Sequence, residues 1–494
     1  MFKVYLSCKD YEYDVRSMIQ AFFGNLKIEA DYVDNSADYN LYAQTSCSNI
    51  ELRLCYDNMA DSSDKEVSIN ETDELLYKAA YKNVLKKELY NMFSKALGKT
   101  LPWGTLTGIR PSKIALTRIE QGISKEDIIE FMKDTYLCSL ERAELACDIA
   151  LKEYGILKDI DYKNGYSLYV GIPFCPTRCL YCSFTSYPAD SYKDYVEPYL
   201  GALFKEIEQT SKLFKNKTLT SVYIGGGTPT TLSAGQLKSL IDKLKECFDF
   251  STVREFTVEA GRPDSITMDK LKVLKECKVD RISINPQTMC QSTLDIIGRK
   301  HTVSDIYDAC NMAEEAGHKV INMDLIVGLP GEDTEVLKDT LEKIVKLDPA
   351  NVTVHTLAMK RTSNLTMNID KYKDMLSEHV SDAVEYAKNY LCEYGYEPYY
   401  LYRQKNMTDN LENIGYSKVG KEGIYNILIM EEIQNILALG AGAVCKFVDY
   451  KNKTITRVDN VKSINDYITR IDDMIEKKSN FLLKEGANYD EIFW

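Results

Sequence analysis

The sequence predicts an α/β protein whose centre is a partial (β/α)6 barrel, with an N-terminal α+β domain before it and an appended C-terminal domain after it. Apolar, β-branched runs alternate with amphipathic helical patterns six times between residues 166 and 360, and short loops join them. Short motifs rich in cysteine, glycine or polar residues lie at the ends of these apolar runs. Strands that alternate with helices are parallel and joined by right-handed crossovers, and such barrels place their chemistry at the carboxyl ends of the strands.

Residues 1–160 carry the pattern of the N-terminal α+β domain. Strand-like segments at Phe2–Leu6 and Ile50–Cys55 precede a helical pattern from about Thr72 to Leu97, and more helix follows. The spacing of Gly and Pro makes 101–111 a structured loop. This loop is either a connector between domains or a lid or docking surface for the next domain, and composition does not choose between these readings.

The barrel domain is expected over 161–370 and the C-terminal domain over 371–494. The six predicted barrel strands are Tyr166–Phe174, Ser221–Ile224, Glu255–Glu259, Arg281–Asn285, Val320–Val327 and Asn351–Leu357. The predicted helices between them span about 191–215, 232–248, 267–277, 303–316 and 334–346. The last domain begins with a helical pattern to about Tyr394, and we expect it to complete or cover the barrel mouth.

Composition limits the classes of function. The formal net charge is -13, and an acidic chain repels the phosphate backbone, so a nucleic-acid partner is not expected. No apolar run reaches the roughly 18 residues that a membrane span needs. The N-terminus has charges in its first ten residues and lacks the apolar segment of a signal peptide. We therefore expect a cytoplasmic protein with no membrane span.

Three of the fourteen cysteines stand apart from the rest. Cys175, Cys179 and Cys182 form a C-x3-C-x2-C motif directly after the first predicted barrel strand, a spacing that chance produces in about one such chain in a hundred. Three thiolates on a four-iron cluster leave one iron open for a ligand, whereas a closed ferredoxin-type site uses four cysteines. A zinc site would need a fourth Cys or His nearby, and the nearest histidine in sequence is His301.

The cysteine motif, with Tyr181 as the aromatic residue before the third cysteine, resembles the signature of the radical S-adenosylmethionine (SAM) superfamily. The resemblance implies a 4Fe–4S cluster on these cysteines and reductive cleavage of SAM to a 5′-deoxyadenosyl radical. A Gly-Gly-Gly-Thr-Pro loop at 225–229 follows the second predicted strand, and its glycines would let the backbone approach a ligand closely. In the superfamily the matching loop contacts the amino group of SAM.

Single polar residues at later strand ends extend this pattern. Each alone would be a capped turn or a surface charge, but their repeated placement at strand ends favours a functional role. Together they resemble the oxygen-independent coproporphyrinogen III oxidase family from about Tyr166 to Lys446. Residues that match the family's surroundings of a first SAM are Tyr169, Tyr181, Gly226, Gly227, Thr228, Glu259 and Val444. Residues that match those of a second SAM are Gln287, Arg299, Asp324 and Ala358.

Two further segments resemble one branch of that family, called HemZ-type or coproporphyrinogen dehydrogenase-like. They are Trp-Gly-Thr-Leu-Thr-Gly-Ile-Arg-Pro at 103–111 and Tyr-Arg-Gln-Lys-Asn at 402–406. The resemblance implies oxidative decarboxylation of coproporphyrinogen III to protoporphyrinogen IX in anaerobic haem biosynthesis, with an electron donor such as flavodoxin or ferredoxin. This tetrapyrrole carries carboxylates, which arginine binds well. Candidate cations are Arg178, Lys360, Arg361, Arg403 and Lys405.

Two departures separate the chain from better-known relatives. Phe184 stands where the oxidases carry a fourth cysteine, which is linked to activity in that family although it does not bind the cluster. The His-Asn-x-x-Tyr-Trp motif of related haem chaperones is missing from the sequence. The alternatives are a radical SAM methyltransferase or ring-opening enzyme acting on haem, and a haem-trafficking protein that binds SAM and a cluster without turnover. The missing chaperone motif favours an enzyme.

Overall fold

The computed structural model describes residues 1–24, 26–30, 38–57, 59–108, 110–377, 379–403, 411–452 and 454–489, with side chains up to residue 482. The chain divides into two compact units. The first contains Met1–Leu151 with Tyr402–Glu412, and the second contains Lys152–Leu401 with Asn413–Trp494. Within the described ranges, no helix combines the length and the apolar character needed to cross a bilayer.

The first unit is built on a five-stranded sheet with the order β2-β1-β3-β4-β5. Its strands are β1 Phe2–Leu6, β2 Ile28–Ala30, β3 Tyr39–Thr45, β4 Asn49–Tyr56 and β5 Met59–Glu66. Its helices are α1 Glu12–Phe23, α2 Glu74–Leu97, α3 Ser112–Glu120, α4 Lys125–Tyr136 and α5 Leu140–Leu157, the last of which runs on into the second unit. The expected strands and the long helix of this region are therefore confirmed, and β2, β3 and β5 were not anticipated.

Local sequence explains the longest helix of this unit. Asp73 caps the start of α2 by accepting hydrogen bonds from the backbone N–H groups of Leu75 and Leu76 at 2.9 and 3.0 Å. Gly98 ends the helix with φ +61°, a left-handed conformation that favours glycine. Alternate residues of β4 are buried, as a half-buried strand requires, and they pack in one core with residues of α2.

The second unit is built on an eleven-stranded sheet with the order β14-β15-β13-β12-β11-β10-β9-β6-β16-β17-β18. Its central strands are β6 Gly165–Ile172, β9 Thr218–Gly226, β10 Glu255–Gly261, β11 Arg281–Ile284, β12 Ile321–Val327 and β13 Asn351–Thr356. A separate pair joins β7 Phe174–Cys175 to β8 Tyr187–Pro188. The remaining strands are β14 Glu397–Tyr402, β15 Asn413–Ser417, β16 Asn435–Leu439, β17 Val444–Asp449 and β18 Thr454–Asp459.

Helices connect the parallel strands of this sheet. They are α6 Val196–Ser211, α7 Ala234–Cys247, α8 Met268–Glu276, α9 Gln291–Ile296, α10 Val303–Glu315 and α11 Thr334–Lys346. After β13 follow α12 Asn364–Met367, α13 Ile369–Tyr372, α14 Val380–Glu393, α15 Ile424–Glu431, α16 Ile464–Thr469 and α17 Ile471–Tyr489. Neighbours from β6 through β13 pair in parallel, so the predicted (β/α)6 partial barrel is confirmed.

The last part of the chain extends the barrel sheet at both ends. β16 pairs in parallel with β6, β15 pairs antiparallel with β13, and β17 and β18 continue beyond β16. Strands on both sides of the expected boundary at residue 370 thus belong to one sheet, because an open parallel sheet leaves edges that later strands can pair with. The structure divides into two compact units, and the division of the chain into three domains stays a prediction.

Candidate active site

The cysteine loop lies where β6 ends, and three contacts fix it. The Leu180 N–H donates to the carbonyl of Ile297 at 2.9 Å, and the hydroxyl of Thr177 donates to the carbonyl of Gly298 at the same distance. On the other side the Leu365 N–H donates to the carbonyl of Leu180 at 2.9 Å. The loop is therefore held by the segment after α9 and by α12, both from later barrel units.

The three thiols of this loop are free and form no disulfide. Burial raises the pKa of Cys175 to about 11, although the hydroxyl of Thr228 opposes the shift. Burial also raises the pKa of Cys182, while the N–H of Phe184 acts in the opposite direction. Buried thiols that resist ionisation alone are suited to a cationic metal partner, which stabilises the thiolate form.

No three His, Cys, Asp or Glu side chains of the described residues come close enough to hold a single metal ion. A four-iron cluster does not require that convergence, because each of its thiolate ligands binds a different iron atom. The charges of all three cysteines nevertheless act on one another, as the effect of Cys179 and Cys182 on Cys175 shows. The donor set and its spacing therefore fit a cluster and do not fit a single zinc ion.

The glycine-rich loop ends β9 directly against the first cysteine. The Gly227 N–H donates to the carbonyl of Ile172, and the Thr228 N–H donates to that of Phe174, both at 2.7 Å. A Cβ at Gly227 would lie 2.5 Å from the Phe174 oxygen and 3.0 Å from the Cys175 sulfur. The hydroxyl of Thr228 lies 3.6 Å from that sulfur. Only glycine leaves room at position 227 beside the thiol.

Glu259 lies near the end of β10, beside this loop, and is held by a tyrosine. The hydroxyl of Tyr223 donates to Oε1 of Glu259 at 2.5 Å, and the backbone of Gly226 also hydrogen-bonds to the carboxylate. Burial raises the pKa of Glu259 to about 7, and the charge of Asp324 adds to the increase. Tyr169 stacks on Tyr223 with ring centroids 6.2 Å apart. Tyr169, Tyr223, Glu259 and Gly226 therefore form one connected group.

Gln287, three residues after β11, meets Asp324 on β12. The Gln287 N–H donates to the carbonyl of Asp324 at 2.9 Å, and φ of Gln287 is +69°, a sparsely populated conformation that the surrounding structure must hold. Asn322 donates to Oδ1 of Asp324 at 2.8 Å, and His355 lies 3.8 Å from the same oxygen. Burial alone would raise the pKa of Asp324, but the neighbouring His355 and Asn322 bring it below its ordinary value.

Arg299 links this region to the cysteine loop. Its Nη1 donates to the carbonyl of Asn285 at 2.6 Å, and its Nη2 donates to the hydroxyl of Tyr181 at 3.3 Å. Arg299 is only 6% exposed, so its guanidinium charge acts in a poorly solvated place. Ala358, just after β13, and Val444, at the start of β17 and 38% exposed, carry side chains that cannot form hydrogen bonds.

The candidate cations divide into two groups. Arg178 and Arg361 are exposed, and Lys360 is half-buried, with its pKa lowered by burial. Arg403 is different, because it is 2% exposed and donates to the carbonyl of Leu106 at 2.6 Å within the first unit. The hypothesis that Arg403 binds substrate is therefore wrong, since a buried cation occupied by backbone carbonyls cannot bind a carboxylate ligand. Lys405 lies outside the described residues.

Sequence reasoning missed several residues of this group. Arg262, three positions after Glu259, reaches back to the cysteine loop and could have been found by following polar residues past the strand end. Tyr223 could have been found from its alternation within β9. Tyr425 stacks on Tyr223 with ring centroids 4.5 Å apart but comes from α15, and nothing in its local sequence signals that position.

Comparison with known proteins places this geometry in a family. The model of the Radical SAM superfamily matches residues 169–344. The oxygen-independent coproporphyrinogen-III oxidase-like protein HemZ of Bacillus subtilis is 42% identical over 405 residues, which are 81% of this chain and 81% of that protein. The chain belongs to the HemZ family of radical SAM proteins.

Other relatives of this HemZ family member carry different names. The oxygen-independent coproporphyrinogen III oxidase of Escherichia coli is 30% identical over 232 residues, 47% of this chain and 50% of that protein. The heme chaperone HemW of Bacillus subtilis is 38% identical over 195 residues, 39% of this chain and 51% of that protein. The solved structure of the Escherichia coli coproporphyrinogen III oxidase HemN shares the fold, with a TM-score of 0.52, 23% identity, and coverage of 65% and 72%.

Membership of the radical SAM superfamily brings two cofactors, a 4Fe–4S cluster and SAM. The free thiols of Cys175, Cys179 and Cys182 fit the cluster, and Gly227 lets the glycine-rich backbone pack directly beside Cys175. Such proteins also require an electron donor. The expected fold, family and cofactors are thus confirmed, while the role of each site residue stays a prediction.

Proposed function

We propose that this chain oxidatively decarboxylates propionate side chains of coproporphyrinogen III to vinyl groups, giving protoporphyrinogen IX in anaerobic haem biosynthesis. The observation that carries the proposal is a series of polar residues on neighbouring units of one barrel sheet, whose strand β6 leads into the cysteine loop. They are Glu259 on β10, Gln287 after β11 and Asp324 on β12. The names of the HemZ and oxidase relatives support the same reaction class.

We propose that Cys175, Cys179 and Cys182 hold the cluster. Replacing each with Ala should remove the iron and the brown colour from anaerobically reconstituted protein. Cys310→Ala is the matched control, because this thiol is buried in α10, away from the loop, and its loss should leave the iron content unchanged. Full iron content after loss of any loop cysteine would refute the assignment.

When bound, the cluster and SAM supply a 5′-deoxyadenosyl radical that can take a hydrogen atom from the propionate carbon β to the ring. Loss of carbon dioxide, with transfer of one electron from the substrate radical to a separate one-electron acceptor, then gives the vinyl group. The chain's own residues bind, orient and exclude water. Glu259 accepts a cationic amino group, the 226–228 backbone lies along the ligand, and the buried tyrosines beside Glu259 keep the barrel interior dry.

Substrate carboxylates need cations close to the cysteine loop. Arg178 donates to the carbonyl of Thr362 at 2.8 Å, and Thr362 directly follows Arg361 in the chain. Both arginines are exposed. Phe184 is 71% exposed although it is a large apolar residue beside Cys182. An exposed ring near two exposed arginines suits a flat macrocycle with carboxylate arms.

The test is an anaerobic product assay. The reconstituted full chain is incubated with SAM, coproporphyrinogen III and a reductant such as dithionite, or a flavodoxin or ferredoxin system, and the products are analysed by mass spectrometry. We expect protoporphyrinogen together with 5′-deoxyadenosine, and neither with the Cys182→Ala variant. If protoporphyrinogen never forms while 5′-deoxyadenosine does, the oxidase assignment is wrong.

The relatives named heme chaperone favour one second candidate, a haem-trafficking protein of the same fold. It would bind haem stoichiometrically without consuming SAM. Absorbance titration with haem, together with measurement of 5′-deoxyadenosine, separates the two candidates. Stoichiometric haem binding without 5′-deoxyadenosine would support the chaperone, and turnover of SAM with coproporphyrinogen would exclude it as the main role.

A further inference from the structure

Arg262 connects the end of β10 to the middle of the cysteine loop. Its Nη1 donates to the hydroxyl of Thr177 at 2.6 Å and to the carbonyl of the same residue at 3.1 Å. The same nitrogen lies 3.9 Å from the sulfur of Cys179, within reach of a hydrogen bond to sulfur. Arg262 is 3% exposed and Cys179 is 8% exposed, so this contact is shielded from water.

A carboxylate holds the other edge of the same guanidinium. Nε of Arg262 donates to Oδ1 of Asp264 at 3.0 Å, and Nη2 donates to Oδ2 at 2.6 Å, which is a bidentate pair. The positive end of the pair thus points at Cys179 and the negative end points away from it. A lysine could not keep this arrangement, because its ammonium lacks the planar fork.

Charge next to a thiolate ligand changes how easily an iron–sulfur cluster accepts an electron. Hydrogen bonds to the sulfur atoms, net charge and solvent exposure set the reduction potential of such clusters. A cation close to the sulfur favours the reduced state, which carries one more negative charge, and weak solvation strengthens the effect. The orientation of Arg262 therefore favours reduction.

We propose that Arg262 is a positioning residue that raises the reduction potential of the cluster through Cys179, and that Asp264 orients the guanidinium and partly offsets its charge. This inference rests on the cluster that the family brings and is independent of the substrate. It explains why a buried arginine stands at the end of β10 when the SAM contacts expected from the family include only Glu259 on that strand.

Other groups also face Cys179. Arg299 acts on it through its charge and a side-chain hydrogen bond, and Arg299 also donates to the hydroxyl of Tyr181. His301 lies 3.9 Å from Oδ1 of Asp264. Replacement of Arg299 would disturb the expected SAM contacts as well as the charge at the thiol, so it cannot separate the two effects. Arg262 and Asp264 provide the cleaner pair of variants.

The experiment is a redox titration of the reconstituted full chain, followed by electron paramagnetic resonance without SAM and without tetrapyrrole. In Arg262→Gln the ratio of reduced to oxidised cluster at a fixed potential should fall about tenfold, which is 59 mV for a one-electron couple. In Asp264→Asn the ratio should rise about threefold, because the remaining guanidinium is no longer neutralised. These opposite signs are the signature of an electrostatic role.

Arg178→Gln is the matched control. Arg178 belongs to the same loop and carries the same charge, but it is exposed and donates to a backbone carbonyl instead of a thiol. Its removal should shift the ratio less than twofold, since solvent screens exposed charges. Arg262→Lys, which keeps the charge without the fork, should shift the ratio less than Arg262→Gln does.

Two results would overturn the inference. One is an unchanged potential in Arg262→Gln protein with full iron content. The other is a shift of the same sign in Arg262→Gln and Asp264→Asn, because disturbed packing alone would act equally in both. If Arg262→Gln protein fails to load iron, the test uses the other two variants. The sign of the shift in reduction potential in Asp264→Asn and the size of that shift in Arg262→Lys then decide whether the inference holds. Failure of the product assay would not affect any of these outcomes.

Discussion

The hydroxyl of Tyr223 donates a hydrogen bond of 2.5 Å to the carboxylate of Glu259, inside the barrel and next to the glycine-rich loop. Burial moves the pKa of this carboxyl upwards to about 7, even though the tyrosine hydrogen bond opposes the shift. About half of the Glu259 side chains are therefore protonated near neutral pH in the protein without ligand. A proton on Glu259 competes with any cationic group that the carboxylate would bind.

We expect the affinity for SAM to depend on pH for this reason. The amino group of SAM is cationic near neutrality, so it should bind the ionised carboxylate and release a proton. Between pH 7 and about pH 8, where an α-amino group begins to lose its proton, the affinity should be nearly constant, and below pH 7 it should fall towards about tenfold per pH unit. Calorimetry of the reconstituted protein at several pH values, in buffers of different ionisation enthalpy, measures both the affinity and the proton release.

Glu259→Gln removes the titrating group and is the direct control. Its affinity should be lower than that of the parent protein at pH 8 and flat between pH 6 and pH 8. Tyr223→Phe should raise the pKa of Glu259 further, because it deletes a hydrogen bond that favours the ionised form, and should move the midpoint to higher pH. A parent protein whose affinity does not change between pH 6 and pH 8 contradicts the prediction.

The barrel could be predicted from the sequence because its strands are rich in apolar and β-branched residues and alternate with amphipathic helices. The run at Asn351–Leu357, for example, corresponds closely to β13 at Asn351–Thr356. The strands β17 and β18 were not predicted, because their residues alternate with charges and one of them lies at the edge of the sheet. Pairing with β16, and not local pattern, decides their structure.

The candidate site shows the same limit. Glu259 could be predicted because it stands at the end of a predicted strand, where barrels place their chemistry, whereas Asp324 lies inside the predicted run Val320–Val327 and was assigned from the family resemblance. Sequence alone could not pair either residue with its partner, since Tyr223 and His355 lie one strand away from them. Arg403 failed as a candidate for the opposite reason, because sequence alone does not reveal that a charged residue is 2% exposed.

Gly227 should not tolerate a side chain. In Gly227→Ala the new Cβ would lie 2.5 Å from the carbonyl oxygen of Phe174 and 3.0 Å from the sulfur of Cys175, so one of these elements must move. We expect at least about tenfold weaker SAM binding, with reduced iron content. Calorimetry and iron analysis measure these effects.

Gly201→Ala is a suitable control for that variant. A Cβ there would meet no atom within 4 Å, and the residue lies inside α6. Alanine should stabilise this helix by about 0.5–1 kcal/mol and leave iron and SAM binding unchanged. Normal iron content and SAM affinity in Gly227→Ala would show that the loop does not pack as tightly as the structure has it.

Asp324 should belong to a second SAM site. Its carboxylate stays ionised near neutral pH because the pKa lies below the ordinary value, and Gln287 is fixed beside it. Calorimetry should find two SAM molecules per reconstituted chain, and one in Asp324→Asn with unchanged iron content. Asp339→Asn, on the exposed surface of α11, should still bind two. A single SAM site in the parent protein would contradict the prediction.

Glu206 should be a main source of stability for the second unit. Its buried carboxylate accepts hydrogen bonds from the Gly440 N–H at 2.9 Å, from Asn460 at 2.8 Å and from the hydroxyl of Tyr467 at 2.5 Å. It also pairs with Lys478, and both side chains are almost fully buried. These contacts hold the loop before Val444 and the C-terminal helix against α6.

In Glu206→Gln the ammonium of Lys478 becomes a buried charge without its carboxylate, which should lower the free energy of unfolding by about 3–5 kcal/mol. Urea unfolding of the full chain measures the loss. Asp472→Asn breaks the exposed Lys205–Asp472 pair, which joins the same two helices, α6 and α17, and should cost at most about 1 kcal/mol. The double variant Glu206→Gln, Lys478→Met should recover part of the loss, because it removes the uncompensated charge. If Glu206→Gln costs no more than Asp472→Asn, the carboxylate does not carry the charge pair that its burial implies.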